Sequence, residues 1–149
     1  DQRLINNFEG KINLKFENLN NQFIKNGNIN FLISEKKIKP SKSFFKVMNF
    51  GKLESEIDFI EENGQLNFFS KNVLEISNNK ELSKFLQINL KKVEDVKKVY
   101  FEIVKKIYSD EFIIRNISIE KNSIELKIDK NYKIRNTQVF KSSLREILN

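Results

Sequence analysis

Glu54, Glu56 and Asp58 stand at alternate positions of one short run, and closely spaced carboxylates are what a glycosidase or a divalent-cation site would use. The same spacing is that of one side of a β-strand, where successive side chains point to opposite faces. A solvated strand face carries charge in this pattern, so the cluster reads as structural. Glu61-Glu62 reads likewise as a hairpin tip. The chain has no His and no Cys, which excludes hydrolytic triads, most zinc sites and disulfides. Lack of Cys does not fix the compartment. Gly10, Gly27, Gly51 and Gly64 are scattered singly, so no glycine-rich phosphate loop exists, and each suits a strand boundary or turn. The reading is therefore non-enzymatic, with no catalytic residue, no metal and no cofactor.

Phe69 and Tyr100 sit on otherwise polar strand faces near Lys71 and Lys98, the thin outline of a base-stacking platform. The net charge of +7 and pI near 9.5 point the same way. Composition supplies a plainer cause. The chain holds no Ala and is crowded with Lys, Asn, Ile and Phe, residues with AT-rich codons. Lysine is then the default solvent-facing residue, and no nucleic-acid partner is expected.

The elements that would position any site are β-strands. Leu53, Ile57 and Phe59 alternate with Glu54, Glu56 and Asp58, and Leu66, Phe68, Leu74 and Ile76 alternate after Asn63-Gly64. Asn-Gly favours a two-residue hairpin turn. Counting from it predicts Phe59 opposite Phe68, Leu53 opposite Leu74, Glu56 opposite Lys71 and Lys52 opposite Glu75. Ile12, Leu14 and Phe16 alternate in a first strand over about 11–19. A polar loop through Asn20 and Asn21 leads to Asn26-Gly27, and Ile29, Phe31 and Ile33 alternate in a second strand. The stretch Glu35 to Lys42, with Pro40, reads as a loop.

A helix over about 80–88, capped by Asn79, would show Leu82, Phe85 and Leu86 on one face. Lys91 to Asp95 reads as a charged loop. Val99, Phe101, Ile103 and Ile107 then open a three-stranded meander. A turn at Ser109 to Glu111 would set Ile107 against Ile113, Ile103 against Ile117 and Phe101 against Ile119. A second turn at Asn122-Ser123 would set Ile117 against Ile128 and Ile119 against Leu126. The first register also sets Lys105 against Arg115, a like-charge contact that signals a bulge or a slip. A second helix over about 138–148, with Thr137 as cap, carries Phe140, Leu144, Ile147 and Leu148 on one stripe.

The prediction is a mostly β protein, an antiparallel meander of hairpins with two short helices and no strand–helix alternation of an α/β fold. Residues 1–149 form a single β-rich domain or a fragment of a longer, repetitive β-groove protein. No apolar run approaches the ~18 residues that span a bilayer. The expected site is the dry face itself: Leu53, Ile57, Phe59, Phe68, Leu74, Phe101, Ile103, Ile117 and Ile119. Two short helices give little cover for so many strands. An open apolar face would hold acyl chains, since each buried methylene contributes about 0.8 kcal/mol without any polar contact.

From the Gly10-Lys11-Ile12 strand start, through the FGKLESEIDF strand and its Asn-Gly hairpin into LNFFSKNVLEI, to the helix around Leu82–Phe85 and the VYFEI strand, the chain resembles the C-terminal part of AsmA-like bacterial envelope proteins. The likeness covers roughly residues 10–128. It implies a periplasmic protein anchored in the inner membrane and similar to bridge-like lipid transporters, whose repeated β-sheets form a hydrophobic groove. It implies phospholipid acyl chains as partners, with other envelope proteins as further ones. Membrane attachment would come through a segment outside this chain. The family brings no catalytic residues. The alternative is a structural or protein-interaction β module with a closed core and no lipid cargo.

Overall fold

The computed structural model describes residues 9–17, 23–34 and 37–149, which form one ten-stranded antiparallel sheet and two α-helices. The strands are β1 (Gly10–Glu17), β2 (Ile24–Ser34), β3 (Lys37–Pro40), β4 (Lys42–Val47), β5 (Gly51–Glu62) and β6 (Gln65–Ile76). After α1 (Asn79–Leu86) come β7 (Val96–Lys106), β8 (Phe112–Lys121), β9 (Ile124–Ile128), β10 (Tyr132–Ile134) and α2 (Thr137–Leu148). Neighbours in space run β1-β2-β4-β5-β6-β7-β8-β10, with β3 also on β2 and β9 also on β8. The sheet is open, because among the described residues β1 and β10 end the path and do not pair with each other. It is the predicted mostly β meander with two short helices.

Local chemistry explains where the prediction holds. Asn63 and Gly64 take φ of 53° and 72°, the positive values a type I′ hairpin requires. Every pairing counted from that turn is present, including Phe59↔Phe68, Leu53↔Leu74, Glu56↔Lys71 and Lys52↔Glu75. Asn122 and Ser123 (φ 48° and 64°) turn β8 into β9, opposing Ile117 to Ile128 and Ile119 to Leu126 as expected.

The β7–β8 pairing departs from its prediction. Ile103 faces Ile114 rather than Ile117, and Ile119 faces Val99 rather than Phe101. A bulge lies between the Tyr100↔Ser118 and Glu102↔Arg115 pairs, and there Asn116 adopts φ 51°. The bulge removes the Lys105–Arg115 opposition and gives Arg115 a carboxylate, with its Nε donating to Glu102 Oε2 at 3.1 Å. Ile107 leaves the strand for the turn. β3 occupies part of the expected 35–42 loop, pairing Pro40 with Phe31 at its last residue, and β4 and β10 are additional strands. Asn26-Gly27 lies inside β2 rather than in a loop. The expected Asn20-Asn21 loop lies outside the described residues. A 3-10 turn, Leu90–Lys92, takes up part of the charged loop. Each helix is capped one residue earlier than predicted. Asn78 Oδ1 accepts from Glu81 N, and Asn136 Oδ1 accepts from Val139 N. Asn79 instead donates its amide to the Val93 and Val96 carbonyls, tying α1 to the start of β7.

The inner face of the sheet carries the core. Phe45, Val47, Leu53, Leu74, Ile76, Val99, Ile117, Ile119 and Ile134 pack in one cluster with Leu82 and Leu86 of α1 and Leu144, Ile147 and Leu148 of α2. Phe50, in the β4–β5 turn, meets Phe85 at 5.4 Å and Phe23 at 6.1 Å, and Phe23 meets Phe140 edge-on at 4.9 Å. Arg145 joins the helices through the Leu86 carbonyl and Gln87 Oε1.

Gly51 begins β5 against the β6 backbone. A Cβ there would stand 2.6 Å from the Glu75 carbonyl oxygen, and backbone cannot step aside. Gly51→Ala is expected to cost about 1–3 kcal/mol of stability by overpacking. Urea denaturation reads this directly; an unchanged midpoint would refute the close approach.

The β10 edge is pinned electrostatically. Glu111 receives Lys133 Nζ at 2.7 Å and Arg135 Nε at 2.6 Å. The hydrogen bond from Lys133 leads in holding the Glu111 carboxyl below its ordinary range, with the Arg135 charge acting in the same direction. A depressed carboxyl stabilises the fold above its unfolded pKa, and that contribution is lost as pH falls through the folded value. Protection of the Tyr132 to Ile134 amides, relative to intrinsic exchange at the same pH, should therefore fall selectively in acid, and Glu111→Gln should reproduce the effect at neutral pH. Equal exchange in Glu111→Gln and the parent would contradict it.

Candidate apolar groove

From the helical end of the sheet to the β5–β6 tip, the inner face passes through apolar, polar and apolar zones. The first zone is the core. The second is a belt of small polar residues across adjacent strands: Ser43, Ser55, Asn72 and Ser70, all buried. Ser55 Oγ donates to Asn72 Oδ1 at 2.6 Å, and Asn72 Nδ2 donates to Ser70 Oγ at 2.9 Å and to the Phe101 carbonyl at 3.3 Å. Ser43 Oγ accepts the Asn30 amide at 3.0 Å. The side-chain polar atoms of the belt are thus satisfied within the protein, as burial demands.

Beyond the belt the face turns apolar again and opens. Phe59 and Phe68 meet edge-on at 6.1 Å, with Phe59 39% and Leu66 53% exposed. Across from them Ile38 is 50% exposed, and a cleft of about 620 Å³ lies between β3 and the β5–β6 hairpin. Ile38, Pro40, Phe59 and Leu66 line it, with Lys37, Lys39 and Asp58 at its border. Ile12 and Leu14 of β1 extend the exposed apolar surface to the edge of the sheet.

The nine residues expected to line a groove divide accordingly. Leu53, Ile57, Leu74, Ile117 and Ile119 are buried, between 2% and 9% exposed, and offer no surface to a ligand. The apolar stripes of α1 and α2 join the same core and cover more of the sheet than their length suggests. Phe68, Phe101 and Ile103 are half-buried, and Phe59 is exposed. The accessible lining is thus Phe59 and Phe68 with Leu66, Ile38, Ile12 and Leu14. Ile12 and Leu14 were visible as alternation in the first strand. Ile38 was hidden because Pro40 marks its segment as a loop.

The outer face carries the charges. One row across five strands reads Lys42, Glu56, Lys71, Glu102, Arg115, so each residue opposes the other sign. Lys42 Nζ also reaches Glu54 Oε1 at 2.6 Å, and this hydrogen bond holds the ammonium above its ordinary pKa. The Glu54–Glu56–Asp58 run is thus the solvated side of β5. Among the described residues no three His, Cys, Asp or Glu side chains are grouped to hold a metal ion. Phe69 lies under the Arg115 guanidinium at 5.9 Å, and the Tyr100 hydroxyl bonds Glu120 Oε2 at 3.2 Å, so both aromatics are engaged within the sheet. Burial is the main cause raising the Tyr100 pKa, with Glu120 adding to it.

No described helix is long and apolar enough to cross a membrane. No family model, curated protein or solved structure matches the chain.

Proposed function

We propose that this chain is a non-enzymatic segment of a bacterial envelope protein, and that it holds phospholipid acyl chains along the uncovered end of its β face. One observation carries the reading: beyond the polar belt the inner face turns apolar again, leaving Phe59, Leu66 and Ile38 exposed around a cleft and Leu14 and Ile12 exposed on β1. Contiguous apolar surface of that kind marks a binding groove or interface. The cleft falls within the range of small-molecule sites, about 300–1,000 Å³. Each methylene taken from water adds about 0.8 kcal/mol, so a chain binds there without catalytic or strongly polar groups. The sequence resemblance to AsmA-like proteins supports a periplasmic setting at the inner membrane, with the anchor on a segment outside this chain.

Native mass spectrometry of protein purified from cells tests the proposal. Co-purified phospholipid is expected, displaced by a lysophospholipid that shifts NMR signals of Phe59, Leu66 and Ile38. Lipid-free protein whose signals ignore lysophospholipid would overturn it.

A protein-interaction module is the second reading, favoured by β1. Its outer edge is unpaired among the described residues, and such an edge accepts an added strand. Lipid-free protein with a slowly exchanging β1 edge in a complex would favour it.

A further inference from the structure

β9 and β10 lie along the same side of β8, and among the described residues β9 has no other neighbour. The five residues of β9 read Ile-Glu-Leu-Lys-Ile. Leu126 and Ile128 stand opposite Ile119 and Ile117 and share their dry face. Those two are sealed in the core, whereas Ile124 is 63% and Leu126 48% exposed. The backbone is equally unfinished. Asn122 and Ser123 form a two-residue turn with positive φ at both positions, so Lys121↔Ile124 is the hydrogen-bonded pair that closes it. Alternation then bonds Leu126 and Ile128 to β8 and points the N–H and C=O of Glu125 and Lys127 at the free edge.

The charges of β9 also lack partners. One row across the outer face reads Lys52, Glu75, Lys98, Glu120, Glu125. It alternates in sign as far as Glu120 and fails at the last step. Glu120 is answered by Lys98 and by the Tyr100 hydroxyl, so Glu125 meets a carboxylate already engaged and no cation. Lys127 stands opposite Ser118. Neither Glu125 nor Lys127 has an ion-pair partner among the described residues.

We propose that β9 pairs antiparallel with β9 of a second copy of this chain, about a two-fold axis at Leu126. The strand is its own complement in that arrangement. Ile124 opposes Ile128, Leu126 opposes Leu126, and Glu125 opposes Lys127 on both sides of the axis. Each Glu125–Lys127 pair exchanges both main-chain N–H···O bonds, and Glu125 gains the ammonium it lacks. The register is selected by charge. Moving the axis one residue either way sets Glu125 against Glu125 or Lys127 against Lys127. A slip of one residue turns the second copy's apolar side to the wrong face. The joint lies at the opposite edge of the sheet from β1 and does not depend on lipid in the cleft.

A five-residue strand pair buries less than the roughly 1,200 Å² of a stable interface, so the association is weak and needs high concentration. The test is sedimentation equilibrium of the chain from micromolar to millimolar concentration, with ¹⁵N NMR spectra over the same range. A monomer–dimer equilibrium is expected, with concentration-dependent shifts at Glu125 and Lys127. Glu125→Lys and Lys127→Glu should each self-associate about tenfold less tightly or worse, since each sets like charges across the axis. Mixed in equal amounts, the two variants restore opposite charges at both positions and should associate as the parent does. Glu125→Lys also places an ammonium opposite Glu120, so its thermal midpoint should not fall. Lys91→Glu, on the 3-10 turn, should dimerise like the parent. The proposal is overturned if the chain stays monomeric at millimolar concentration or if its shifts map to β1. It is overturned equally if either charge variant keeps the parent affinity or the mixture fails to associate.

Discussion

Phe50→Ala should lower the free energy of unfolding by about 3–5 kcal/mol, the range for emptying a buried aromatic site. Phe50 is 1% exposed and contacts Phe85 and Phe23, so its removal opens a cavity where both helices and the β4–β5 turn converge. The cavity is hard to refill, because the Phe50 backbone is fixed from the other side. Its carbonyl accepts the Ser77 amide at 2.8 Å and the Asn78 amide at 3.2 Å, immediately before α1. Domains of ordinary stability have only about 5–15 kcal/mol to lose, so this variant should be partly unfolded under mild denaturant. Urea titration followed by far-UV circular dichroism measures it, with Phe59→Ala as the exposed comparison. A cost below about 1 kcal/mol for Phe50→Ala would mean that the aromatic cluster is not a packed core.

Phe59→Asp should produce the opposite combination, loss of lipid binding with little loss of stability. The ring lies on the apolar wall of the cleft, beyond the polar belt and 39% exposed. Removing it takes away about 1.5–3 kcal/mol of apolar contact, and the new carboxylate would have to be desolvated beneath an acyl chain. Affinity for a fluorescent fatty acid or lysophospholipid should fall tenfold or more, since about 1.4 kcal/mol is one decade. The urea midpoint should move far less than in Phe50→Ala. Leu66→Asp, on the neighbouring strand, should behave alike. Undiminished binding in both variants would remove the cleft from consideration, whatever the fate of the fold.

Much of the architecture was legible because the relevant signals are local. Asn63-Gly64 fixes its hairpin by backbone preference alone, and Asn122-Ser123 does the same for β8 and β9. Where a register depends on a residue inside a strand, counting from the turn fails. Asn116 bulges β8, and the only trace in the sequence was the like-charge opposition of Lys105 and Arg115 that the bulge abolishes. β10 was missed because three residues are too few to show a period. β3 was missed because Pro40 reads as a break, although proline is tolerated on a strand with an unpaired side, and β3 pairs only with β2 among the described residues.

The groove was legible only in part. Alternation reveals which side chains share a face. It does not reveal which of them a helix distant in sequence will cover. Leu53 and Phe59 belong to the same stripe of β5, yet one is sealed in the core and the other stands open. The serines and the asparagine between them also occupy inward positions. They went unread because a polar residue on a dry face signals nothing until its partners are known.

Those hydroxyl and amide groups give the sheet a means of rejecting misalignment. Sliding one central strand past its neighbour by two residues would keep greasy side chains facing inward, so the hydrophobic effect alone discriminates poorly against it. The same slide would carry Ser55 away from Asn72 and Asn72 away from the Phe101 carbonyl, stranding polar atoms where water cannot reach them. In a meander built from repetitive, interchangeable apolar strands, the few atoms that do not tolerate exchange set which strand stops where.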